Sequence, residues 1–312
     1  MAPRHVALAV LVAALWGFNF VVIKVGLEDI PPLLLSSLRY ALASLALLVL
    51  APPRSVPWRW IAAVGVIIGV VKFSLLFIGM DVGVPAGLAS LVLQAQAFFT
   101  LLFAAVVLGQ RPRRLQVAGM ALAFAGIGLV AIQADGGAIS AGGLALVVLA
   151  AAAWGAGNLV IKRAGATDMV GFMTWTFVVP PIPLLILSLS FEGPGAVGHA
   201  LAHPTWAGVA SVVYLAVFAT VIGWAAWGFL LGRYSPGVVA PFSLLVPVFG
   251  LVSGALVLGE ALTVLDLAAT VLILAGLACI VRPLGRQRVE RAQVVLPELD
   301  LADRDVLVEV RQ

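Results

Sequence analysis

The sequence predicts an all-α integral membrane protein whose ten transmembrane helices form two inverted five-helix repeats. Three observations predict this fold class: an apolar composition, apolar runs of membrane-spanning length, and a motif pattern that occurs twice. Of the 312 residues, 63% are hydrophobic and 10% are charged, and the mean hydropathy is +1.16. A soluble domain averages about 45–50% apolar and about 25% charged residues. We therefore expect lipid to surround most of this chain.

The apolar residues fall into ten runs, and a membrane-spanning helix needs about 20 predominantly apolar residues. The predicted spans cover approximately residues 6–26, 32–51, 60–80, 85–108, 114–133, 142–162, 170–190, 207–231, 236–259 and 265–282. Backbone polar groups in hydrocarbon must be hydrogen-bonded within their own segment, so we predict a helix at each position. The first run continues from Val6 to Gly26, long enough to span, so we expect a retained helix rather than a signal peptide.

The charged residues alternate between the predicted loops. Fifteen of the 18 Lys and Arg residues lie at the N-terminus, in the even-numbered loops or in the C-terminal tail: Arg4, Arg54, Arg59, Arg111, Arg113, Arg114, Lys162, Arg163, Arg233, Arg282, Arg286, Arg288, Arg291, Arg304 and Arg311. The odd-numbered loops hold acidic residues: Glu28, Asp29, Asp81, Asp135, Glu192, Glu260 and Asp266. Because cytoplasmic loops carry the excess of Lys and Arg, we predict cytoplasmic termini in a multi-pass protein of the inner or plasma membrane.

The composition also excludes several classes of protein. The net charge is +4, but the basic residues form no face or aromatic-flanked patch, so we expect no nucleic-acid partner. Cys279 is the only cysteine, which excludes an internal disulfide and a cysteine-rich metal site. No Gly-x-x-x-x-Gly-Lys-[Ser/Thr] motif is present, so direct use of ATP is not expected. The predicted spans lack the His, Asp and Glu clusters that an intramembrane enzyme requires.

Two groups of residues recur along the chain. The first group is Trp16-Gly17 with Val22-Ile23-Lys24. It recurs 138 residues later as Trp154-Gly155 with Val160-Ile161-Lys162. The second group consists of Gly87, Phe99, Val107-Leu108-Gly109, Leu115, Ala118 and Gly126. The same residue types recur 150 residues later at Gly237, Phe249, Val257-Leu258-Gly259, Leu265, Ala268 and Gly276. The recurrence predicts one five-helix repeat at residues 1–135, a second at 140–283, and a charged cytoplasmic tail at 284–312.

An odd number of helices in each repeat places the second repeat in the opposite orientation across the membrane. Inverted repeats hold a binding site near the bilayer midplane, and rocking of one half against the other opens that site to each side in turn. The pattern therefore predicts a transporter with a small-molecule substrate and no cofactor. The alternative is a duplication that only builds a stable helical bundle.

Several segments resemble a known family. They are residues 16–27, Pro31-Pro32 with Leu38-Arg39, residues 85–100, 230–234 and 243–248, and the ending Leu258-Gly259-Glu260. These segments resemble the EamA-type branch of the drug/metabolite transporters, and within that branch the exporters of O-acetylserine and cysteine. The resemblance implies export of small amino-acid metabolites of this kind. An exporter of another small metabolite or drug of the same superfamily is the alternative.

Two positions depart from the pattern that this resemblance implies. Gln110 replaces the acid of the Leu-Gly-acid ending in the first repeat. Lys72 stands within the third span, where the resemblance implies a neutral polar residue. Because a charge in hydrocarbon is costly, Lys72 is a candidate substrate-binding residue that pairs with a carboxylate or exchanges a proton. The alternative is that it faces a wet cavity and pairs with backbone carbonyls.

Polar and aromatic side chains within other spans are further candidates for substrate binding. Asn19 and Asn158 offer neutral donors and acceptors, with interhelical hydrogen bonding as the alternative. Gln94 and Gln96 point about 200° apart on an α-helix, so we expect only Gln94 to face the site. Trp16, Trp154, Trp224 and Trp227 lie deeper than an interfacial aromatic belt and are candidates for the cavity wall.

Other residues are candidates for gating or structural roles. Pro241 and Pro247 interrupt the ninth span and each leave a carbonyl free, which is typical of a gate or a static kink. We expect Arg39, early in the second span, to pair with Glu28 or Asp29, and a role as a substrate funnel is the alternative. His199 and His203 are too few ligands to indicate a metal site. Small residues on the fifth and tenth spans permit close helix packing, which we expect to stabilise each half or a homodimer: Gly119, Ala123, Gly126, Ala268, Ala275 and Gly276.

Overall fold

The computed structural model describes residues 1–45, 56–135, 139–166, 168–234 and 236–281. Within these residues the chain is helical and contains no strand. The long helices, numbered in chain order, are α1 Pro3–Leu27, α2 Pro32–Ser44, α3 Trp58–Asp81, α4 Ala86–Leu108, α5 Arg114–Asp135, α6 Ala141–Ala164, α7 Gly171–Phe191, α8 Trp206–Arg233, α9 Ala240–Leu258 and α10 Val264–Val281. Among the described helices, eight are long and apolar enough to cross a membrane, namely all of these except α2 and α10.

These helices begin and end within a few residues of the spans predicted from the sequence. The rest of the predicted second span, residues 46–51, lies outside the described residues, and so does the predicted tail, residues 284–312. One region differs from the prediction. The connection between α7 and α8 contains a short helix, Pro194–Ala202, rather than only a loop. Its proline occupies the first turn, where the missing N–H costs no hydrogen bond.

Several helices depart from regular α-helical geometry inside their apolar runs. The π-helical stretches are Gly65–Lys72 in α3 and Tyr214–Ile222 in α8. The 3₁₀ turns are Leu93–Ala95 in α4, Thr176–Val178 in α7 and Ala240–Leu244 in α9. Such stretches change the direction in which side chains project from a helix, and π-helical turns frequently occur at functional sites.

Two glycines allow helices from different halves of the chain to approach closely. A Cβ atom on Gly17 of α1 would lie 2.5 Å from Phe249 Cβ of α9. A Cβ atom on Gly155 of α6 would lie 2.7 Å from Phe99 Cβ of α4. Because protein interiors are close-packed, neither position has room for a side chain. The first half therefore packs its helix α1 directly against α9 of the second half. The second half packs its helix α6 directly against α4 of the first half.

The small residues of α5 and α10 pack these two helices against each other. A Cβ atom on Gly119 would lie 2.6 Å from the carbonyl oxygen of Gly276. At one end of the pair, Gln133 Nε2 donates a 2.8 Å hydrogen bond to Asp266 Oδ1, and both side chains are buried. The small residues thus pack the first half against the second, which corrects the expectation that they stabilise each half by itself. The predicted homodimer stays a prediction.

The helix ends form two faces, because consecutive helices run in opposite directions. We call the face that contains Glu192 and Glu260 the acidic face, and the opposite face, which contains His5 and Arg233, the basic face. On the basic face the two halves meet where His5 Nδ1 lies 2.7 Å from the hydroxyl oxygen of Tyr234. Contacts across the acidic face are more numerous and are described with the site.

The close approach of α1 to α9 predicts a strong effect of one methyl group at Gly17. Gly17→Ala should lower the free energy of unfolding by about 1–3 kcal/mol, because the added carbon overlaps Phe249 Cβ and the Val246 carbonyl. Thermal unfolding of the purified protein in detergent measures the change. Gly128→Ala on α5 is the matched control, since a Cβ atom there has no neighbour within 4 Å. Equal unfolding temperatures for both variants would contradict the packing argument.

Candidate functional site

A cavity of about 440 Å³ lies between the two halves of the chain. Its described wall comes from α1–α4 and α6–α9, whereas α5 and α10 contribute none of it. The residues predicted to bind substrate all line this cavity: Trp16, Asn19, Lys72, Gln94, Trp154, Asn158, Trp224 and Trp227. The distorted stretches of α3, α4, α7, α8 and α9 each contribute to the wall as well. The cavity is therefore built where regular helical geometry is interrupted.

Pro247 links a helix interruption to a polar group in the cavity wall. Proline has no N–H, so it leaves the carbonyl four residues earlier, that of Ser243, without its helical partner. That carbonyl oxygen accepts a 3.1 Å hydrogen bond from Gln94 Nε2 of α4. Pro241 lies within the 3₁₀ turn that begins α9. Neither proline lines the cavity, and their predicted gating role stays a prediction.

Gln96 lines the cavity together with Gln94, which corrects the expectation that only one of them does. The 3₁₀ turn at Leu93–Ala95 has three residues per turn instead of 3.6, so it reduces the angle between the two side chains. Gln96 Oε1 accepts a 2.8 Å hydrogen bond from Asn158 Nδ2 of α6. The same Nδ2 lies 3.0 Å from the hydroxyl oxygen of Thr100. Asn158 therefore makes interhelical hydrogen bonds while it lines the cavity.

Tryptophan side chains form one part of the wall. The Trp16 ring centroid lies 5.5 Å from that of Trp224 and 5.3 Å from that of Trp227, which joins α1 to α8. Trp16 Nε1 also donates a 2.9 Å hydrogen bond to the carbonyl oxygen of Ala219, inside the π-helical stretch of α8. Trp154 of α6 contacts Lys72, whose Nζ lies 4.5 Å from its ring centroid. These rings present apolar faces to a ligand, and the indole N–H of Trp16 is bonded to the protein.

Arg39 lies in the cavity wall and does not pair with Glu28 or Asp29, so the expected ion pair is wrong. Its Nε donates a 2.9 Å hydrogen bond to the hydroxyl of Thr220 on α8, and the residue is 4% exposed. The Asp29 carboxylate instead accepts a hydrogen bond from the Thr205 hydroxyl. Arg39 is one of the few charges inside an apolar run, and that signal marks it as a site residue.

Two polar atoms that are buried in this wall have no hydrogen-bond partner among the described residues. They are Asn19 Oδ1 and Arg39 Nη1. Lys72 is equally buried, at 4% exposure, and its Nζ lies 3.3 Å from the ring centroid of Phe73. Buried polar groups in native proteins are usually satisfied. The wall therefore offers free hydrogen-bonding capacity of both kinds, an acceptor at Asn19 and donors at the cations.

Glu260 joins α9 to α4 on the acidic face. Its two carboxylate oxygens accept hydrogen bonds of 2.6 and 2.9 Å from the backbone N–H groups of Ala86 and Gly87, at the N-terminus of α4. Gly259, with φ of +66°, turns the chain so that Glu260 reaches back across the face. A carboxylate at a helix N-terminus satisfies free donors and complements the helix dipole. This is the structural role of the Leu-Gly-acid ending in the second half.

A second carboxylate ties the halves together on the same face. Glu192, at the end of α7, accepts hydrogen bonds of 2.6 and 3.3 Å from the backbone N–H groups of Leu33 and Leu34 at the start of α2. The Ser188 hydroxyl donates a further 2.6 Å hydrogen bond to Glu192. Both acidic ties connect a residue of the second half to a helix N-terminus of the first half.

Among the residues that the structure describes, the basic face has no counterpart of the Glu260 tie. Gly109, with φ of +63°, makes the same left-handed turn at the end of α4, but the residue that follows is Gln110, which is neutral and exposed. The residue equivalent to Ala86 at the start of the ninth span is Pro236, which has no N–H to donate. Two acidic residues thus join the two halves on the acidic face. The sequence does not provide the Glu260 pair of bonds at the equivalent position on the basic face.

The histidine pair lies outside the cavity. His199 and His203 are exposed on the short helix Pro194–Ala202 and just after it, with ring centroids 4.6 Å apart. Within the described part of the chain, no group of three or more His, Cys, Asp or Glu side chains is placed to hold a metal ion.

Comparison with known proteins places this architecture in one family. The sequence model of the EamA-like transporter family matches residues 4–132 and 141–282. The chain belongs to the EamA-like transporter family. This result confirms the resemblance drawn from the sequence, and it makes the chain a membrane transporter rather than a member of a catalytic class.

Several curated relatives of this EamA-like transporter are similar over most of their length. A "Probable amino-acid metabolite efflux pump" of Salmonella typhimurium strain LT2 is 44% identical, and one of Escherichia coli strain K12 is 41% identical; each alignment covers 89% of this chain and 94% of the relative. A "Probable terminal-alkyne amino-acid exporter" of Streptantibioticus cattleyicolor is 33% identical over 89% of this chain and 94% of its own. A solved crystal structure has the same fold, with a TM-score of 0.61 at 20% identity over 89% of this chain and 96% of that chain.

The Glu260 tie of this EamA-like transporter predicts a measurable loss of stability when its charge is removed. Glu260→Gln should lower the free energy of unfolding by about 1–3 kcal/mol, because an amide N–H₂ group replaces one of the two acceptors. Thermal unfolding in detergent provides the measurement. Glu28→Gln is the control, since Glu28 is an exposed acid on the same face. An unfolding temperature that falls equally in both variants would contradict a specific role for Glu260.

Proposed function

We propose that this EamA-like transporter exports small amino-acid metabolites, such as O-acetylserine and cysteine, through its central cavity. The observation that carries the proposal is a cavity of about 440 Å³ lined by amide, tryptophan and cationic side chains in a chain of this family. Relatives at 41–44% identity bear the name of probable amino-acid metabolite efflux pumps, which supports the same substrate class. The amides and cations of the wall offer partners for the polar groups of such metabolites.

The transport mechanism in this proposal is alternating access by two inverted five-helix repeats, residues 1–135 and 140–283. The close contacts of Gly17 with Phe249 and of Gly155 with Phe99 support it, because the paired residues occupy equivalent positions of the two repeats. Each repeat thus contributes its first helix to a contact with the fourth helix of the other. A pair of related interfaces can exchange roles when the halves rock against each other.

The acidic face is the closed side of the cavity in this proposal. Glu260 and Glu192 hold helix N-termini of the first half against the second half there. Opening to that face requires both carboxylates to release their backbone donors. Pro241 and Pro247 give α9 fewer internal hydrogen bonds, so the start of α9 is the segment that we assign to gating on the basic face.

The Lys and Arg distribution supports an orientation in which the basic face is cytoplasmic and the acidic face is external. In this orientation the N-terminus and the predicted tail are both cytoplasmic. This agrees with ten spans, because an even number of crossings returns the chain to the side on which it started. Export in this orientation begins with entry of a cytoplasmic metabolite from the basic face. The substrate leaves through the acidic face after the two carboxylate ties have opened.

Lys72 is the wall residue whose loss should affect export most. Lys72→Met should reduce flux of labelled cysteine or O-acetylserine from proteoliposomes by about tenfold, because the substrate carboxylate loses a charged hydrogen-bond donor in the wall. Lys162→Met removes a lysine that is exposed at the end of α6 and should retain flux. Measurement with and without a proton gradient also distinguishes proton-coupled from downhill export.

Three results of this flux assay would have different meanings. Unchanged flux in Lys72→Met would remove that residue from the binding site. Flux of a sugar or drug but of no amino-acid derivative would replace the substrate class with that of another superfamily exporter. No flux of any tested solute by the unaltered protein would contradict the export function.

Inversion of the repeats predicts opposite labelling of equivalent positions. Cysteines placed singly at Glu28 and Ala166, in a Cys279→Ser background, are separated by the repeat offset of 138 residues. A membrane-impermeant maleimide added to intact cells should label position 28 and should reach position 166 only after the membrane is opened. Labelling of both positions from the same side would contradict the inverted arrangement.

A further inference from the structure

Two cationic side chains lie over one aromatic ring in the wall of the cavity. The guanidinium carbon of Arg39 lies 4.3 Å from the ring centroid of Phe73, and Lys72 Nζ lies 3.3 Å from the same point. Both charged residues are 4% exposed. The two charges are therefore no farther apart than the sum of these distances. A carboxylate placed beside this ring is within electrostatic range of both cations.

Neither cation has a carboxylate partner in the part of the wall that the structure describes. Arg39 donates through Nε to the neutral Thr220 hydroxyl, and its Nη1 has no partner there. Lys72 Nζ contacts the aromatic rings of Phe73 and Trp154. The described lining of the cavity includes no Asp and no Glu. The described wall thus holds two basic side chains and no acidic side chain that could balance a positive charge on them.

This imbalance discriminates between ligands of different net charge. A buried charge without an opposite partner is costly, so a ligand that brings a negative charge is favoured. A zwitterionic amino acid brings one carboxylate and one ammonium, and it leaves the net charge of the cavity unchanged. Its ammonium is also repelled by both cations. An amino acid whose amine is acylated brings the carboxylate alone and lowers the net charge by one.

We propose that Arg39 and Lys72 form a shared anion subsite, through which the cavity prefers net-anionic N-acylated amino acids to zwitterions of the same size. The inference rests on the proposed export function and specifies its substrate class. The ligand carboxylate accepts hydrogen bonds from the free Nη1 of Arg39 and from Lys72 Nζ. The unpartnered Asn19 Oδ1 in the same wall accepts the N–H of the acylated amine. The acyl group packs against the tryptophan rings.

N-acetylserine and O-acetylserine form a matched pair of probes for this preference. They are isomers with the same atoms, and only the N-acetyl isomer lacks the ammonium. The full-length protein in detergent is titrated with each isomer while its thermal unfolding is followed, and proteoliposome flux of each is measured in parallel. A mildly acidic buffer is used, because transfer of the acetyl group from oxygen to nitrogen is slow there. We expect N-acetylserine to bind about tenfold more tightly than O-acetylserine.

Two variants assign this preference to the cations. Lys72→Met removes one cationic side chain from the wall. It should abolish most of the roughly tenfold difference in affinity between the two isomers. Arg39→Lys keeps the charge but loses the forked hydrogen-bond donors of the guanidinium. It should therefore weaken the binding of both isomers and retain the preference for the anionic one. Lys162→Met, with its exposed lysine at the end of α6, should behave as the unaltered protein does.

A competition experiment tests the subsite in the unaltered protein, and it applies even where a variant fails to fold. Formate is an isolated carboxylate and should displace N-acetylserine, whereas methylammonium should not. Failure of formate to compete would overturn the anion subsite.

The possible results separate this inference from the export function. Tighter binding and faster flux of O-acetylserine would overturn the anion preference and leave the export function intact. A preference that persists unchanged in Lys72→Met would overturn the role assigned to that lysine. Binding and flux of neither isomer, nor of cysteine, would contradict the export function itself.

Discussion

Backbone polar groups that an interrupted helix exposes inside a membrane must find partners, and this constraint shapes the cavity wall. Pro247 removes a donor from α9, and the carbonyl of Ser243 that it frees accepts a bond from Gln94 of α4. The π-helical stretch of α8 likewise presents the Ala219 carbonyl to Trp16 of α1. In both cases the helix and its partner belong to different halves of the chain. Interruptions that would destabilise one half alone are therefore stabilised by the other.

The cations of the wall do not follow this pattern. Gln94, Asn158 and Trp16 donate hydrogen bonds within the protein, whereas Arg39 Nη1 and Lys72 Nζ keep capacity for a ligand. An unbalanced charge costs stability in the empty cavity and increases the gain when an anion binds. Stability and ligand selection are thus opposed at these two residues. The carboxylate ties on the acidic face, where Glu260 and Glu192 are fully engaged, show the opposite arrangement.

Much of the fold can be predicted from apolar periodicity and length alone, because lipid imposes one solution on each apolar run. The boundaries of the described helices agree with the predicted spans for this reason. The interruptions are harder to predict. Pro247 marks one of them, but the π-helical stretches at Gly65–Lys72 and Tyr214–Ile222 contain no proline. The residues of these stretches therefore give no local signal of an interruption.

The sequence by itself determined which residues are costly to bury. They include Lys72, the predicted amides Asn19, Gln94 and Asn158, and the four deep tryptophans, and these line the cavity. Only the tertiary structure decided which residues these side chains contact. It turned Arg39 away from the neighbouring acids and toward Thr220, and the 3₁₀ turn of α4 brought Gln96 into the wall beside Gln94. Burial cost is a property of each residue and can be read along the chain. The partner of a side chain depends on which distant helices approach one another. Glycines such as Gly17, where there is no room for a side chain, permit that approach.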